Sequence, residues 1–201
     1  MKKIITFLIL IISLNLFSQQ DISIKGKLFF SDDFYKTFPN LLVKIDSSSE
    51  FIQIKEDGNF EIKTPIKKES YQLFFYYGNI KFKEFDYEFE WTKRKKAKSI
   101  SLAEKCEVNK FIARNDYKKK KLKIFIFNEN ENEKLKKKDK RIQKRASFEY
   151  IKIPLNKMIN YDCYLDYNEW VYTIFNHTTK RKYLDKLRKD VIGYFHRYSH
   201  R

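Results

Sequence analysis

From residue 21 to residue 103 the apolar positions recur with a period of two. Ile22, Ile24, Leu28 and Phe30 alternate with Ser23, Lys25 and Lys27, and Gly26 interrupts the apolar face. Leu41, Val43 and Ile45 alternate with Leu42, Lys44 and Asp46. Successive side chains on a strand point to opposite faces, so each run predicts a strand with one buried side. Ile52 and Ile54 precede Glu56-Asp57-Gly58-Asn59, and Phe60 and Ile62 follow it. Two alternating runs around Asp-Gly predict a β-hairpin. Tyr71 to Tyr77 is apolar on both faces, which suits a central strand. Ile80 and Phe82 share one parity, whereas Phe85, Tyr87, Phe89 and Trp91 share the other, and the switch at Lys83-Glu84 predicts a β-bulge. Ser99 to Leu102 supplies a last short strand. About seven strands predict an antiparallel β-sandwich over residues 19–103.

The second half has a different pattern, and residues 104–201 read as a small α+β unit. Residues 104–117 are helix-compatible, with Cys106, Phe111 and Ile112 or Ala113 on the apolar face. Leu122 to Phe127 and Phe148 to Ile153 read as short strands, the latter stopped by Pro154. Between them, Asn128 to Lys144 is highly charged, with Leu135 and Ile142 as its apolar contacts, and reads as a weak surface helix or a loop. Asp162 can cap a helix carrying Leu165, Tyr167, Trp170 or Val171, and Ile174. After a break at Asn176 to Thr179, Tyr183, Leu184, Leu187, Val191 and Tyr194 predict a second helix over Lys180 to Tyr194. The two helices would form a closing helical hairpin. The whole chain is therefore expected to be α+β.

Three stretches of the first half carry a family resemblance. They are Ile24-Lys25-Gly26-Lys27-Leu28, Pro39-Asn40-Leu41-Leu42-Val43-Lys44-Ile45 and Asp57-Gly58-Asn59-Phe60-Glu61-Ile62. Together they resemble the carboxypeptidase regulatory-like domain, a transthyretin-like β-sandwich of exported bacterial proteins. The usual glycine after the proline and the usual Gly-Thr turn are missing. The resemblance implies a fold and an accessory role, and brings no catalytic residue. In the second half, Tyr167-Asn168 and Arg188-Lys189-Asp190-Val191-Ile192-Gly193 loosely resemble the C-terminal region of exported bacterial proteins with no assigned activity.

The amino terminus changes the picture of where the chain works. Met1-Lys2-Lys3 precedes an apolar run from Ile4 to Leu14, and Leu16-Phe17-Ser18 places a small residue before Gln19. This is the layout of a secretory signal peptide over residues 1–18, cleaved after Ser18. The run is about eleven to fourteen residues, short of the roughly 20 that span a bilayer. No cysteine lies near the cleavage point, which disfavours a lipoprotein, and no later stretch is long enough to span a membrane. The mature protein is expected to be soluble and periplasmic or secreted. Cys106 and Cys163 then read as a disulfide, with two separate buried thiols as the alternative.

The formal charge is +17, and removal of Lys2 and Lys3 leaves +15. Such an excess invites an anionic partner. The abundance of Lys, Ile, Asn, Phe and Tyr also fits an A/T-rich genome, which gives the same excess without selection for binding. Lys118 to Lys123 form one basic cluster, in which Lys118, Lys119, Lys120 and Lys121 stand out, and Lys134 to Arg145 form another, in which Lys136, Lys137 and Lys138 do. Both are candidate anion-binding residues, and Tyr117, Phe125 and Phe127 interleave with the first. A solvated face and strand core account for the same residues.

Candidate chemistry is sparse. His196 and His200 are spaced to share a helix face, but no carboxylate or cysteine nearby in sequence completes a metal shell. His177 lies in a polar break, and Glu84 with Asp86 is a carboxylate pair of a spacing common in a charged chain. The His-Glu-x-x-His, phosphate-loop and Gly-x-Ser-x-Gly patterns are absent. No cofactor is implied. The expectation is a non-catalytic binding or structural protein of the bacterial envelope. Its expected partner is another envelope protein or an anionic surface polymer, and export argues against nucleic acid. The rival is a hydrolase housed in the second half, which would need a pocket lined by His177 or paired carboxylates.

Overall fold

The computed structural model describes residues 22–46, 50–65, 68–88, 98–102, 105–127 and 134–198. The predicted leader, Phe89 and Trp91, the basic stretch 92–97, the boundary at 103/104 and His200 lie outside the described residues. The chain is α+β, as expected.

Two sheets make up the first half. One has the order β4-β1-β7, from β1 (Ile22–Leu28), β4 (Asn59–Thr64) and β7 (Lys98–Ile100). The other has the order β3-β2-β5-β6, from β2 (Leu41–Ile45), β3 (Ile52–Gln53), β5 (Ser70–Tyr77) and β6 (Ile80–Glu88). The alternating positions behave as predicted. Ile24, Leu28, Phe60 and Ile62 of the first sheet are buried, as are Val43, Ile45, Leu73 and Phe75 of the second. They belong to one hydrophobic cluster, in which the Phe60 and Phe75 rings meet edge to face at 6.0 Å. The aromatic-rich β5 lies between β2 and β6, and the parity switch in β6 is a register shift. Phe75 pairs with Lys83 but Tyr76 pairs with Lys81, so Phe82 is the extra residue and both Phe82 and Tyr87 face inward. The edge strand β7 runs parallel to β1, so this sheet is mixed rather than purely antiparallel.

The Asp57-Gly58 turn does not close a hairpin. The Lys55 N–H donates to the Asn59 carbonyl at 2.9 Å, but β3 then pairs with β2 and β4 with β1. The turn is therefore a crossover between sheets. Gly58 sits at φ +80, where a Cβ would come within 2.3 Å of the Leu28 carbonyl oxygen. The Gly58 carbonyl accepts from Leu28 N at 3.0 Å, which pins the crossover to the end of β1.

A short helix, α1 (Asp32–Thr37), follows β1 with Ser31 as its N-cap. It and its C-cap carry the aromatic residues that meet the second half, including Phe34 and Phe38.

In the second half, α2 (Lys110–Lys118) is capped by Asn109, whose side chain accepts from Phe111 N and Ile112 N. Its buried residue is Ala113, while Phe111 and Ile112 are exposed, so the predicted apolar face is turned. The strands β8 (Lys123–Phe127) and β9 (Glu149–Ile153) pair in parallel. A parallel pair needs a crossover, and α3 (Lys137–Ala146) from the charged stretch provides it. A six-residue 3₁₀ helix, Leu155–Asn160, leads into α4 (Tyr161–Asn176), the long buried helix of this half, so that Asp162 lies in its first turn and not at its cap.

The predicted second helix over 180–194 forms only as a 3₁₀ helix over Thr179–Lys186, Leu187 is extended, and residues 188–192 run along β8 as a strap in place of the rest of it. The Phe127 N–H donates to the Asp190 carbonyl at 3.3 Å, the Ile192 N–H donates to the Phe125 carbonyl at 3.1 Å, and Val191 bridges Ile126. A two-stranded sheet leaves the outer edge of β8 unpaired, and the strap satisfies that edge. Leu184, Leu187 and Val191 are buried, so their spacing signals burial without signalling a helix. Gly193, at φ +70, turns the chain away where a Cβ would meet Leu165 at 2.4 Å. Asn168, fully buried on α4, fixes this corner. Its amide bonds both backbone groups of Phe125 and the Ile192 carbonyl. Among the described residues no helix is long and apolar enough to cross a membrane.

Cys106 and Cys163 form a disulfide with their Cα atoms 5.6 Å apart. It joins the segment before α2 to the first turn of α4 across 57 residues. The expected outcome is that the denatured, unreduced chain takes up no thiol reagent, as read by mass spectrometry. The double substitution Cys106→Ser/Cys163→Ser should lower unfolding free energy by about 4 kcal/mol through the larger entropy of the open chain. Two alkylatable thiols without reductant would contradict the pairing.

Candidate functional site

The strap and α3 enclose a cleft of about 690 Å³. Lys136, Lys138, Arg141 and Arg145 line one wall, and Lys186, Arg188 and Lys189 the other. Positions 138, 141, 142 and 145 recur at helical spacing, so Lys138, Arg141, Ile142 and Arg145 share one face of α3. The wall exists because Lys136 ends the preceding chain in extended conformation and Asp139, at the third helical position, accepts from Lys136 N at 3.3 Å.

The floor of the cleft is an ion network. The Arg188 guanidinium meets Asp190 as a fork, with Nε–Oδ1 at 2.8 Å and Nη2–Oδ2 at 2.6 Å. Its Nη1 reaches Oδ2 of Asp139 at 3.4 Å. The Asp139 side chain is only 2% exposed, and its Oδ1 is buried without a hydrogen-bond partner among the described residues. Arg188 therefore pairs with both floor carboxylates, which leaves one net negative charge there, and clamps α3 to the strap. Lys136, Lys138, Arg141, Arg145 and Lys189 face no carboxylate within ion-pair distance among the described residues. The charge available to a ligand comes from these rim cations.

The two predicted basic clusters fare differently. Lys136 and Lys138 line the cleft, and Lys137 is exposed beside them. Lys118, Lys119, Lys120 and Lys121 lie at the carboxyl end of α2, all exposed. There they complement the partial negative charge of the helix end, and they line none of the described cavities. The aromatic residues near them are structural. Phe125 is buried, the Phe127 ring stacks on Tyr161, and Tyr117 packs against Trp170. Arg141 and Arg145 lie within the predicted basic cluster 134–145 and Arg188 within the run 188–193, but none is a predicted anion-binding residue, because their convergence depends on the strap and a helix over 180–194 would not bring Arg188 to α3 in this way.

A second cluster surrounds His196, for which the sequence offers no carboxylate nearby. Its Nε2 lies 3.2 Å from Asp33 Oδ1 and its Nδ1 lies 3.0 Å from Glu169 Oε1. The Tyr161 hydroxyl donates to Asp33 Oδ2 and lies 3.0 Å from Thr37 Oγ1. Burial, reinforced by the hydrogen bond to Asp33, pushes the Tyr161 phenol well above its ordinary value, so it remains a donor. The two carboxylates come from α1 and α4, so this cluster joins the halves of the chain. Cys163, the sulfur on the same helix, is engaged in the disulfide.

The other candidates do not converge. His177 is exposed at the end of α4 and lines none of the described cavities. Glu84 and Asp86 are exposed on β6, with Glu84 paired to Lys81. A cavity of about 490 Å³ at the ends of the two sheets mixes Asp46, Glu50 and Glu61 with Lys63 and Lys68, and Lys68 lies 3.1 Å from Asp46. Among the described residues no group of three or more His, Cys, Asp or Glu could hold a metal ion.

Replacing Arg188 with Ala should cost about 3–5 kcal/mol in urea unfolding, because it leaves the Asp139 carboxylate buried and uncompensated. Adding Asp139→Asn to that variant should recover much of the loss. A cost below about 1 kcal/mol, the range of an exposed ion pair, would contradict the clamp. Comparison with protein-family models, curated proteins and solved structures found no match to this chain.

Proposed function

We propose that this chain is an exported, non-catalytic accessory protein of the bacterial cell envelope that binds an anionic surface polymer. The cation-lined cleft between α3 and the strap carries this reading. Among the described residues its rim cations lack carboxylate partners, whereas its floor carboxylates are held by Arg188. Cations converging on a concave surface raise the local concentration of an anionic partner, and charge left unpaired on a folded surface is available to it. The leader at residues 1–18 and the disulfide suit an oxidising compartment outside the cytoplasm. The two sheets of the first half suit a transthyretin-like sandwich, which would present the second half as a binding module.

The test uses protein recovered from the periplasm or medium of an expressing bacterium. It should begin at Gln19 and be retained on immobilised anionic envelope polymer at low salt. Retention should fall steeply as ionic strength rises from about 0.05 M to 0.5 M, because exposed charges are screened over a shortening distance. An intact amino terminus, or no retention at low salt, would contradict the reading.

A further inference from the structure

We propose that the cleft binds a short oxyanion-bearing saccharide segment, with the sugar ring against Tyr194 and Ile142 and its charged group on Arg141 and Arg145. This rests on the polymer-binding reading above and names the part of the polymer that is recognised.

The cleft volume of about 690 Å³ matches a site for one compact ligand, which pockets of roughly 300–1,000 Å³ hold. Its lining is of two kinds. Ile142, Leu187 and Tyr194 give a small apolar wall, and the cations stand around it. A bare ion has no use for the apolar wall. An acyl chain needs a longer one. A sugar ring has an apolar C–H face and a polar rim, and so fits both kinds of surface. Asp185, exposed at the edge of the cleft, can accept from a ring hydroxyl. Arg141 and Arg145 lie one turn apart on the same face of α3, and both are exposed. Two guanidinium forks at that spacing suit a carboxylate or a phosphate, each able to accept two parallel hydrogen bonds.

The experiment titrates the mature, disulfide-intact chain calorimetrically with four probes. They are an oligogalacturonate, a phosphate-bearing oligomannoside, neutral maltotetraose and inorganic phosphate. The oligogalacturonate, the phosphorylated oligomannoside or both should bind with one site per chain, and the preferred one identifies the oxyanion as carboxylate or phosphate. Maltotetraose and inorganic phosphate should bind at least about tenfold more weakly, since each offers half of the recognition. The double variant Arg141→Ser/Arg145→Ser should lose about tenfold or more in affinity for the preferred probe. Both positions are exposed, so retained circular dichroism is the folding control. A variant with Lys118, Lys119, Lys120 and Lys121 all changed to Ser should bind as the unaltered chain does. Inorganic phosphate binding as tightly as the saccharides would overturn the proposal in favour of a plain anion site. Saccharide binding lost in the four-lysine variant and kept in R141S/R145S would overturn the cleft assignment and leave polymer binding standing. No binding to any anionic saccharide or to the envelope polymer would overturn both.

Discussion

Two consecutive residues, Tyr161 and Asp162, tie the two halves of the chain together, and Cys163 beside them ties α4 to the segment before α2. The Tyr161 ring is 1% exposed and packs against Phe34 of α1, Phe38 at the C-cap of α1 and Phe127 of β8. Its hydroxyl holds Asp33, the Asp162 carboxylate accepts from Ser31 N and Ser31 Oγ at 3.0 and 2.5 Å, and Cys163 is bonded to Cys106. One turn of α4 thus fixes the helix after β1, the edge of the parallel strand pair and the segment entering α2. The side chains it gathers belong to a hydrophobic cluster that runs through both halves. Burial raises the Tyr161 phenol, so the neutral form is the native one. Its contribution is complete below the ordinary tyrosine value near 10 and is lost as pH climbs toward the folded value.

This junction bears on the cleft through the strap. Asn168 and Tyr172, on the same helix, bond the Ile192 carbonyl, and Asn168 also bonds Phe125. The strap is therefore held by α4 through contacts separate from the Arg188–Asp139 pair. A buried carboxylate facing a guanidinium contributes little net stability, but it penalises any arrangement that separates the two. The Asp139–Arg188–Asp190 floor thus sets the separation of the walls and leaves the rim cations for a ligand. The +17 charge of the chain is spread over many lysines, yet only some converge on a concave surface. Placement distinguishes Lys136 and Lys138 from Lys118 to Lys121.

Much of the first half was legible in the sequence because alternation reports directly which face of a strand is buried. The parity switch in β6 and the two-sided β5 were readable for the same reason. Asp57-Gly58 specifies a tight turn but not whether its flanking strands share a sheet, since Ile54 and Phe60 are buried in either case. The six-residue α1 is too short for periodicity to reveal, although Ser31-Asp32-Asp33 is a cap followed by an acidic first turn. In the second half, Leu184, Leu187 and Val191 satisfy a helical period and are buried, but an open strand edge on β8 competes for the backbone and wins. The cysteine pair was legible as a choice between a bridge and two thiols. The cleft was only half legible: its lysines stood out as a run, whereas its arginines and the His196 joint depend on contacts far apart in sequence.

The junction at Tyr161 makes the two halves one cooperative unit. In native-state hydrogen exchange with the disulfide intact, amides of β5 in the first half and of α4 in the second should open with the same free energy, and Tyr161→Phe should lower both equally. Separate opening free energies for β5 and α4, or a loss confined to α4 in Tyr161→Phe, would contradict it.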